Sequence, residues 1–157
     1  MTERSTRHAS FVIERNYDAS PARVFGAWAN PTAKARWFVG PEEWEASDHE
    51  LDFRVGGREH VSGGPPGAPV HVFDACYQDI VPDQRIIYTY DMHLDQMRIS
   101  VSLATVELKP AGAGTRLIFT EQAVFLDGAD KPEDREHGTR ALLDNLDAAL
   151  RRDAVKS

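Results

Sequence analysis

The segment that decides the fold is residues 130–150, DKPEDREHGTRALLDNLDAAL. Its apolar side chains recur three and four positions apart, which is the spacing of one face of an α-helix. This face consists of Thr139, Leu142, Leu143, Leu146, Ala149 and Leu150. Asp130 and Glu133 flank Pro132 with the spacing of a capping box, so we expect the helix to begin there. The segment therefore predicts a long amphipathic helix that packs its apolar face against another element.

A glycine interrupts this helix near its start. In a helix interior, glycine costs about 1 kcal/mol relative to alanine. Such a position is often kept open for a group that approaches the backbone closely. We therefore expect a bulky group against Gly138.

Alternating apolar and polar residues precede the helix and predict β-strands. Within residues 97–109 the apolar positions change phase, so we expect a β-bulge or a strong bend near Leu103. Turn residues at Gly56-Gly57 and Pro82-Asp83 connect neighbouring strands as hairpins. The predicted strands are residues 11–17, 44–55 (beginning at Trp44), 58–61, 70–81, 84–93, 97–109 and 115–126.

Two short helices are predicted after the first strand. Ser20-Pro21 and Asn30-Pro31 each combine an N-cap residue with a first-turn proline. The first helix covers residues 21–29, and the second carries Trp37 and Phe38 at its end. A long helix with one apolar stripe is most stable across the concave face of an antiparallel sheet. The expected fold is therefore α+β of the helix-grip type, with a curved antiparallel sheet of about six or seven strands around the C-terminal helix.

Composition predicts one globular domain over residues 1–157, with residues 1–9 as a flexible arm. Hydrophobic residues make up 41% and charged residues 27%, which is ordinary for a folded protein. The net charge of -7, without a stripe of Lys and Arg, argues against nucleic acid as a partner. One cysteine excludes an intramolecular disulfide, and neither a secretory signal nor a long apolar run is found. We expect a cytoplasmic protein without a membrane partner.

Several motifs resemble those of the START-like superfamily, also called SRPBCC, which includes polyketide cyclases. The likeness is greatest to bacterial proteins related to the activator of heat-shock-protein-90 ATPase, and it covers about residues 10–151. The motifs are residues 20–25, 37–38, 53–57, 80–86, 114–117 and 137–138. The resemblance implies an internal cavity between sheet and helix. Thr139 stands where the family pattern usually has Trp, which would enlarge this cavity.

Large aromatic side chains are the candidate lining of such a cavity, because they bury large areas and tyrosines add a hydroxyl. Glu121 joins them, since alternation from Leu117 and Phe119 points it inward, where a carboxylate needs a partner or a raised pKa. Each aromatic residue also fits an ordinary core position, and that alternative stays open. The ligand-binding candidates are Trp28, Trp37, Phe38, Tyr77, Tyr88, Tyr90, Phe119, Glu121, Leu142 and Leu146.

Motifs for metal or cofactor chemistry are not found in the sequence. The six histidines are scattered, and there is neither a His-Glu-x-x-His nor a Gly-x-Ser-x-Gly motif. We therefore predict no metal and no cofactor. Asp91, His93 and Arg98 lie near a strand connection, where we favour a solvated hairpin end.

Three functions remain open. The leading hypothesis is a binding domain for a small apolar or amphipathic molecule. The second is a cyclase or isomerase acting on a small hydrophobic substrate in the same cavity, an analogy from the fold. Proton transfer or oxyanion stabilisation would then fall to Tyr88, Asp91, His93, Arg98 or Glu121. The third is a chaperone-accessory interaction domain, and a homodimer is left open.

Overall fold

The computed structural model describes residues 4–40 and 45–156. Its strands are β1 (Thr6–Tyr17), β2 (Glu45–Leu51), β3 (Arg58–Gly64), β4 (His71–Val81), β5 (Arg85–Leu94), β6 (Met97–Ala111) and β7 (Gly114–Leu126). Two short helices, α1 (Pro21–Ala29) and α2 (Pro31–Ala35), follow β1, and the long helix α3 (Pro132–Lys156) follows β7. All strands pair antiparallel in one sheet with the order β1-β7-β6-β5-β4-β3-β2. This confirms the predicted helix-grip architecture.

The apolar face of α3 packs into the core as predicted. Leu143 and Leu146 are fully buried there, and the rest of the predicted face is buried or half-buried. Two hydrogen bonds to backbone oxygens of α3 tie it to the start of the chain. The Tyr17 hydroxyl donates to Leu143 O at 2.9 Å, and the Arg23 guanidinium donates to Leu150 O at 2.9 Å. The helix is therefore held at β1 and at α1.

The first strand is longer than predicted. It begins at Thr6, and residues 6–9 pair with residues 123–126 of β7. The flexible arm expected at residues 1–9 therefore does not extend over residues 6–9. The predicted start of the second strand, Trp44, lies outside the described residues.

The connection after β2 differs from the predicted tight hairpin. The strand ends at Leu51, and residues 52–57 form a loop that folds onto β4. Gly56 N donates to Tyr77 O at 2.8 Å, and Tyr77 N donates to Gly57 O at 3.0 Å. Gly56 has a positive φ of 83°. The ring of Phe53 packs edge-on against Tyr77, with centroids 4.9 Å apart, and this contact helps to hold the loop against β4.

The irregularity in β6 lies closer to the strand start than predicted. In the register with β5, Arg98 pairs with His93 and Ser100 pairs with Met92, which leaves Ile99 as the additional residue. From Ser100 onward, alternate residues face the core without interruption, so no bulge forms near Leu103. The physical consequence is that two serines, Ser100 and Ser102, are buried on the core side of β6.

Two expectations for the start of α3 are wrong. A Cβ at Gly138 would meet nothing within 4 Å, so no bulky group approaches this exposed position. Asp130 does not form the predicted capping box with Glu133. Its carboxylate accepts instead from Lys131 N at 2.9 Å and from the Arg135 guanidinium at 3.0 Å. The Asp130 carboxylate bonds to Arg135 instead of capping the helix, because a charged donor makes the stronger hydrogen bond.

Within the described residues, no helix is long and apolar enough to cross a membrane.

Candidate functional site

Most of the predicted aromatic candidates form one continuous group under α3. Trp28 and Trp37 meet edge-on with ring centroids 4.8 Å apart, and Trp37 meets Phe38 at 5.6 Å. Across the sheet, Tyr88 lies 5.7 Å from Tyr77 and 6.0 Å from Tyr90. All of these side chains belong to the core or pack directly against it.

Phe73 on β4 connects the two halves of this group and was not among the sequence candidates. Its ring centroid lies 5.1 Å from that of Phe38 and 4.7 Å from that of Tyr90. The alternation of residues 73, 75 and 77 toward the core was the signal that could have identified it. Phe119 lies apart from the group and stacks with Phe11 of β1 at 6.3 Å.

A buried ion pair lies at one end of the aromatic group. Lys34 and Glu59 have no exposed side-chain surface, and Lys34 Nζ lies 2.6 Å from Glu59 Oε1. Tyr77 donates its hydroxyl proton to the same oxygen at 2.7 Å and accepts from Lys34 Nζ at 3.2 Å. His49 Nε2 lies 2.9 Å from Glu59 Oε2 and is partly exposed. We call these four residues the lysine cluster.

The lysine cluster keeps Glu59 ionised. Burial alone would raise its pKa, but the charge of Lys34 and the hydrogen bonds from His49, Lys34 and Tyr77 lower the pKa to about 2. An ionised carboxylate can only accept, so His49 Nε2 carries a proton and donates it. The Lys34 ammonium also lies 4.4 Å from the ring centroid of Phe38 and 5.2 Å from that of Trp28. A cation in this position gains cation–π attraction.

A second buried network lies near the start of α3. Arg135 donates from Nη1 to the Tyr90 hydroxyl at 3.0 Å and from Nη2 to Ser100 Oγ at 2.8 Å. The Tyr90 hydroxyl donates to both carboxylate oxygens of Glu121 at 2.9 Å, and Ser102 Oγ donates to Oε2 at 3.2 Å. Arg135, Glu121, Tyr90, Ser100, Ser102 and Asp130 together form what we call the arginine cluster.

The arginine cluster shifts the pKa of its carboxylate, Glu121, in the opposite direction. Burial raises the pKa of Glu121, and the effects of Arg135, Tyr90 and Ser102 reduce this shift without cancelling it. The nearest distance from the guanidinium to Glu121 is 3.6 Å, because the Tyr90 hydroxyl lies between them and Arg135 also pairs with Asp130 at 3.0 Å. The inward orientation predicted for Glu121 is thus observed, with the partner that a buried carboxylate requires.

The remaining polar candidates lie at the surface or half-buried. Asp91 and Arg98 form an exposed ion pair of 3.3 Å, in keeping with the favoured solvated hairpin end. Nδ1 of the neighbouring His93 is buried without a hydrogen-bond partner. In the described part of the chain, no group of three or more metal-ligating side chains has the geometry to hold a metal ion.

Two cavities on the described surface lie away from the aromatic group. One, of about 420 Å³, is lined by Glu50, Leu51, Asp52, Arg54, Gly56, Gly57 and Arg58. The other, of about 160 Å³, is lined by Val81, Gln84, Arg85, Glu107, Leu108 and Lys109. None of the predicted ligand-binding residues lines either cavity.

Comparisons with known proteins agree with this architecture. The family described as "Activator of Hsp90 ATPase homolog 1-like protein" matches residues 18–151. A putative uncharacterized protein from Rhizobium leguminosarum is 49% identical with a TM-score of 0.92, covering 96% of this chain and 99% of that one. The Mll3558 protein from Rhizobium loti is 47% identical with a TM-score of 0.85, covering 92% and 99%. No match is found among curated proteins.

Proposed function

The chain belongs to the Activator of Hsp90 ATPase homolog 1-like family, within the START-like superfamily, and from this premise we propose that it binds a small apolar or amphipathic molecule. The proposed site lies between α3 and the concave face of the sheet. Its lining consists of the aromatic group, with Leu142 and Leu146 of α3 covering it. The matched relatives whose structures are similar do not identify the ligand.

The observation that carries this proposal is the presence of two polar clusters inside an apolar core. A buried ion pair is often no more stabilising than well-packed apolar side chains of the same volume. Buried ionisable groups with shifted pKa values instead concentrate at binding and catalytic sites. The lysine cluster and the arginine cluster both face the interior that α3 covers, and the aromatic group lies between them.

Binding requires the interior to open, because the aromatic side chains contact one another in this structure. The hydrogen bonds from Tyr17 and Arg23 hold α3 in place. The helix α2 is held as well, because Lys34 forms the buried ion pair of 2.6 Å with Glu59. We therefore expect the aromatic side chains, rather than α2 or α3, to move when a ligand enters.

The test is native mass spectrometry of the freshly purified protein, followed by titration with N-phenyl-1-naphthylamine, a neutral fluorescent probe. We expect bound mass or, in a ligand-free preparation, saturable fluorescence and a melting temperature that rises with probe concentration. Absence of bound mass, fluorescence change and thermal shift would refute the proposal. The same spectrum counts subunits and decides whether a homodimer forms.

Two variants of α3 locate the site. Leu142→Trp adds volume on the half-buried face toward the aromatic group, whereas Ala141→Trp adds the same side chain at an exposed position. We expect Leu142→Trp to weaken probe binding at least tenfold and Ala141→Trp to leave it unchanged. Equal binding by both variants would place the probe elsewhere, provided that circular dichroism shows both to be folded.

A proton-transfer enzyme is the second candidate, and the specific observation in its favour is Glu121. This carboxylate is buried, has a raised pKa and is hydrogen-bonded to Tyr90, which suits a general acid or base. The test is exchange of the methyl protons of 1-acetylnaphthalene in D2O, followed by NMR. Acceleration by the native protein and its loss in Glu121→Gln, with ketone binding retained, would support catalysis. No acceleration of this exchange would count against it.

A further inference from the structure

Trp28 on α1 has a buried donor without an acceptor. The side chain is 2% exposed, and its indole Nε1 has no hydrogen-bond partner. The neighbouring Trp37 is equally buried, but its indole Nε1 donates to Ala27 O at 2.9 Å. Buried N–H groups are nearly always paired, because a buried N–H without an acceptor loses its hydrogen bond to water and gains none within the protein. The free donor of Trp28 therefore indicates a missing acceptor.

The ring that carries this donor borders the aromatic interior. The Trp28 ring lies 4.8 Å from that of Trp37 and 5.2 Å from Lys34 Nζ. The other buried side-chain atom without a partner among the described residues is Nδ1 of His93. His93 lies on β5 where the pairing with β6 is irregular. Of these two unpaired groups, Trp28 is the one whose ring belongs to the aromatic group.

Neither buried cation of the interior is free to pair with a ligand anion. Lys34 is paired with Glu59, and Arg135 is paired with Asp130 and lies within 3.6 Å of Glu121. A ligand that brought its own carboxylate would leave that charge buried without a counterion, which is strongly unfavourable. The interior therefore selects against anionic ligands.

From these observations, and resting on the proposed function, we propose that the ligand is a neutral molecule whose oxygen accepts a hydrogen bond from Trp28 Nε1. Ketones, aldehydes, esters and ethers with an apolar body belong to this class. Carboxylic acids in their ionised form do not, and neither do ammonium ions, which cannot accept a hydrogen bond. The aromatic group contacts the apolar body, and the Trp28 donor fixes the position of the oxygen.

The experiment compares three probes of similar shape: 1-acetylnaphthalene, 1-ethylnaphthalene and 1-naphthoate. Their affinities are measured by displacement of N-phenyl-1-naphthylamine at pH 7. We expect the ketone to bind about fivefold more tightly than the hydrocarbon, as one neutral hydrogen bond allows. The carboxylate should bind at least tenfold more weakly than the ketone. Equal affinity of ketone and hydrocarbon, or tighter binding of the carboxylate, would overturn the inference.

Two tryptophan variants form a matched pair. Trp28→Phe removes the free donor and should abolish the preference for the ketone over the hydrocarbon. Trp37→Phe removes a donor that is already paired and should retain that preference. A ketone preference that survives in Trp28→Phe, or is lost in Trp37→Phe alone, would contradict the assignment.

Infrared spectroscopy gives a readout that does not depend on the stability of a variant. The carbonyl stretch of 13C-labelled 1-acetylnaphthalene bound to the native protein should lie at lower frequency than in hexane. A frequency equal to that in hexane would overturn the inference even if the ketone binds, leaving the proposed function intact. Failure of all three probes to displace N-phenyl-1-naphthylamine would overturn this inference alone, whereas failure of N-phenyl-1-naphthylamine itself to bind would refute the proposed function.

Discussion

The lysine cluster and the arginine cluster contain the same three kinds of group but shift the pKa of their carboxylates in opposite directions. Each buries a glutamate beside a tyrosine hydroxyl and a cation, yet the pKa of Glu59 is lowered and that of Glu121 is raised. The difference follows from distance. Lys34 contacts Glu59 directly at 2.6 Å, whereas Arg135 lies 3.6 Å from Glu121 and is shared with Asp130. Direct contact with a cation that no other carboxylate shares lowers the pKa of a buried carboxylate most effectively.

The comparison also separates two roles. Glu59 and Lys34 depend on each other, because burial lowers the pKa of Lys34 and the charge of Glu59 opposes that shift, so removing the carboxylate leaves the buried amine without its counterion. Glu121 can take up a proton when its partners are lost, so its network tolerates change. The lysine cluster is accordingly expected to stabilise the fold, and the arginine cluster is the better candidate for chemistry.

The largest expected effect is that of Glu59→Gln, which leaves the Lys34 ammonium without a counterion. We expect a loss of about 3–5 kcal/mol in the free energy of unfolding, measured by urea denaturation at pH 7. The control is Glu14→Gln, an exposed carboxylate that pairs with Arg116 at 2.7 Å, for which we expect a change below about 1 kcal/mol. The double variant Lys34→Met/Glu59→Leu should recover most of the loss. If Glu59→Gln cost no more than the control, the pair would not be mutually dependent.

The next effect is the acid sensitivity of the lysine cluster. The pKa of Glu59 in the folded state, about 2, lies below its ordinary value of 4.5. Its stabilisation is therefore complete above pH 4.5 and is lost as the pH falls toward 2. This window corresponds to about 3 kcal/mol, at roughly 1.4 kcal/mol per pH unit. Unfolding free energies from pH 5 to 2 should fall more steeply for the native chain than for Lys34→Met/Glu59→Leu. Parallel curves would contradict the assigned shift.

The sequence indicated one of these clusters in part and did not reveal the other. Glu121 was recognisable because strict alternation from Leu117 and Phe119 places it inward. Glu59 shares its face with Val61 in the same way, but the short strand gave too few positions to establish the pattern. Lys34 lies in a five-residue helix, which is too short to show a periodic pattern of apolar residues. Its burial results from contacts with Phe38 and Tyr77 that only the assembled fold creates.

The long helix shows what periodicity can and cannot predict. The apolar stripe from Thr139 to Leu150 was predicted and is observed in the core. Arg135 lies four positions before Thr139 on the same stripe, so its inward orientation could have been inferred from the spacing, although charged residues are rarely buried. Gly138 was expected to mark a close contact and is exposed. Spacing predicts a face, whereas tertiary contacts decide which polar residues that face can bury.

Arg135→Met tests the arginine cluster by removing its cation, and we expect an intermediate effect on the free energy of unfolding. It removes donors to Ser100 and Tyr90 and the partner of Asp130, which we expect to cost about 1–3 kcal/mol. Protonation of Glu121 limits the loss. The control is Arg140→Met, which breaks an exposed pair with Glu136 on the same helix and should cost less than about 0.5 kcal/mol. Urea denaturation at pH 7 gives both values, and a loss equal to that of Glu59→Gln would remove the distinction between the clusters.

The smallest expected effect is that of Glu121→Gln, because the amide resembles the protonated carboxyl group that burial favours. We expect the free energy of unfolding at pH 5 to change by less than about 1 kcal/mol. The pKa of Glu121 is raised in the folded state, so the native chain loses stability as rising pH ionises this group, and the variant does not. The difference between variant and native chain should therefore move in favour of the variant from pH 5 to 8. Movement in the opposite direction would mean that Arg135 stabilises the ionised carboxylate more than burial opposes it, and that the two clusters behave alike.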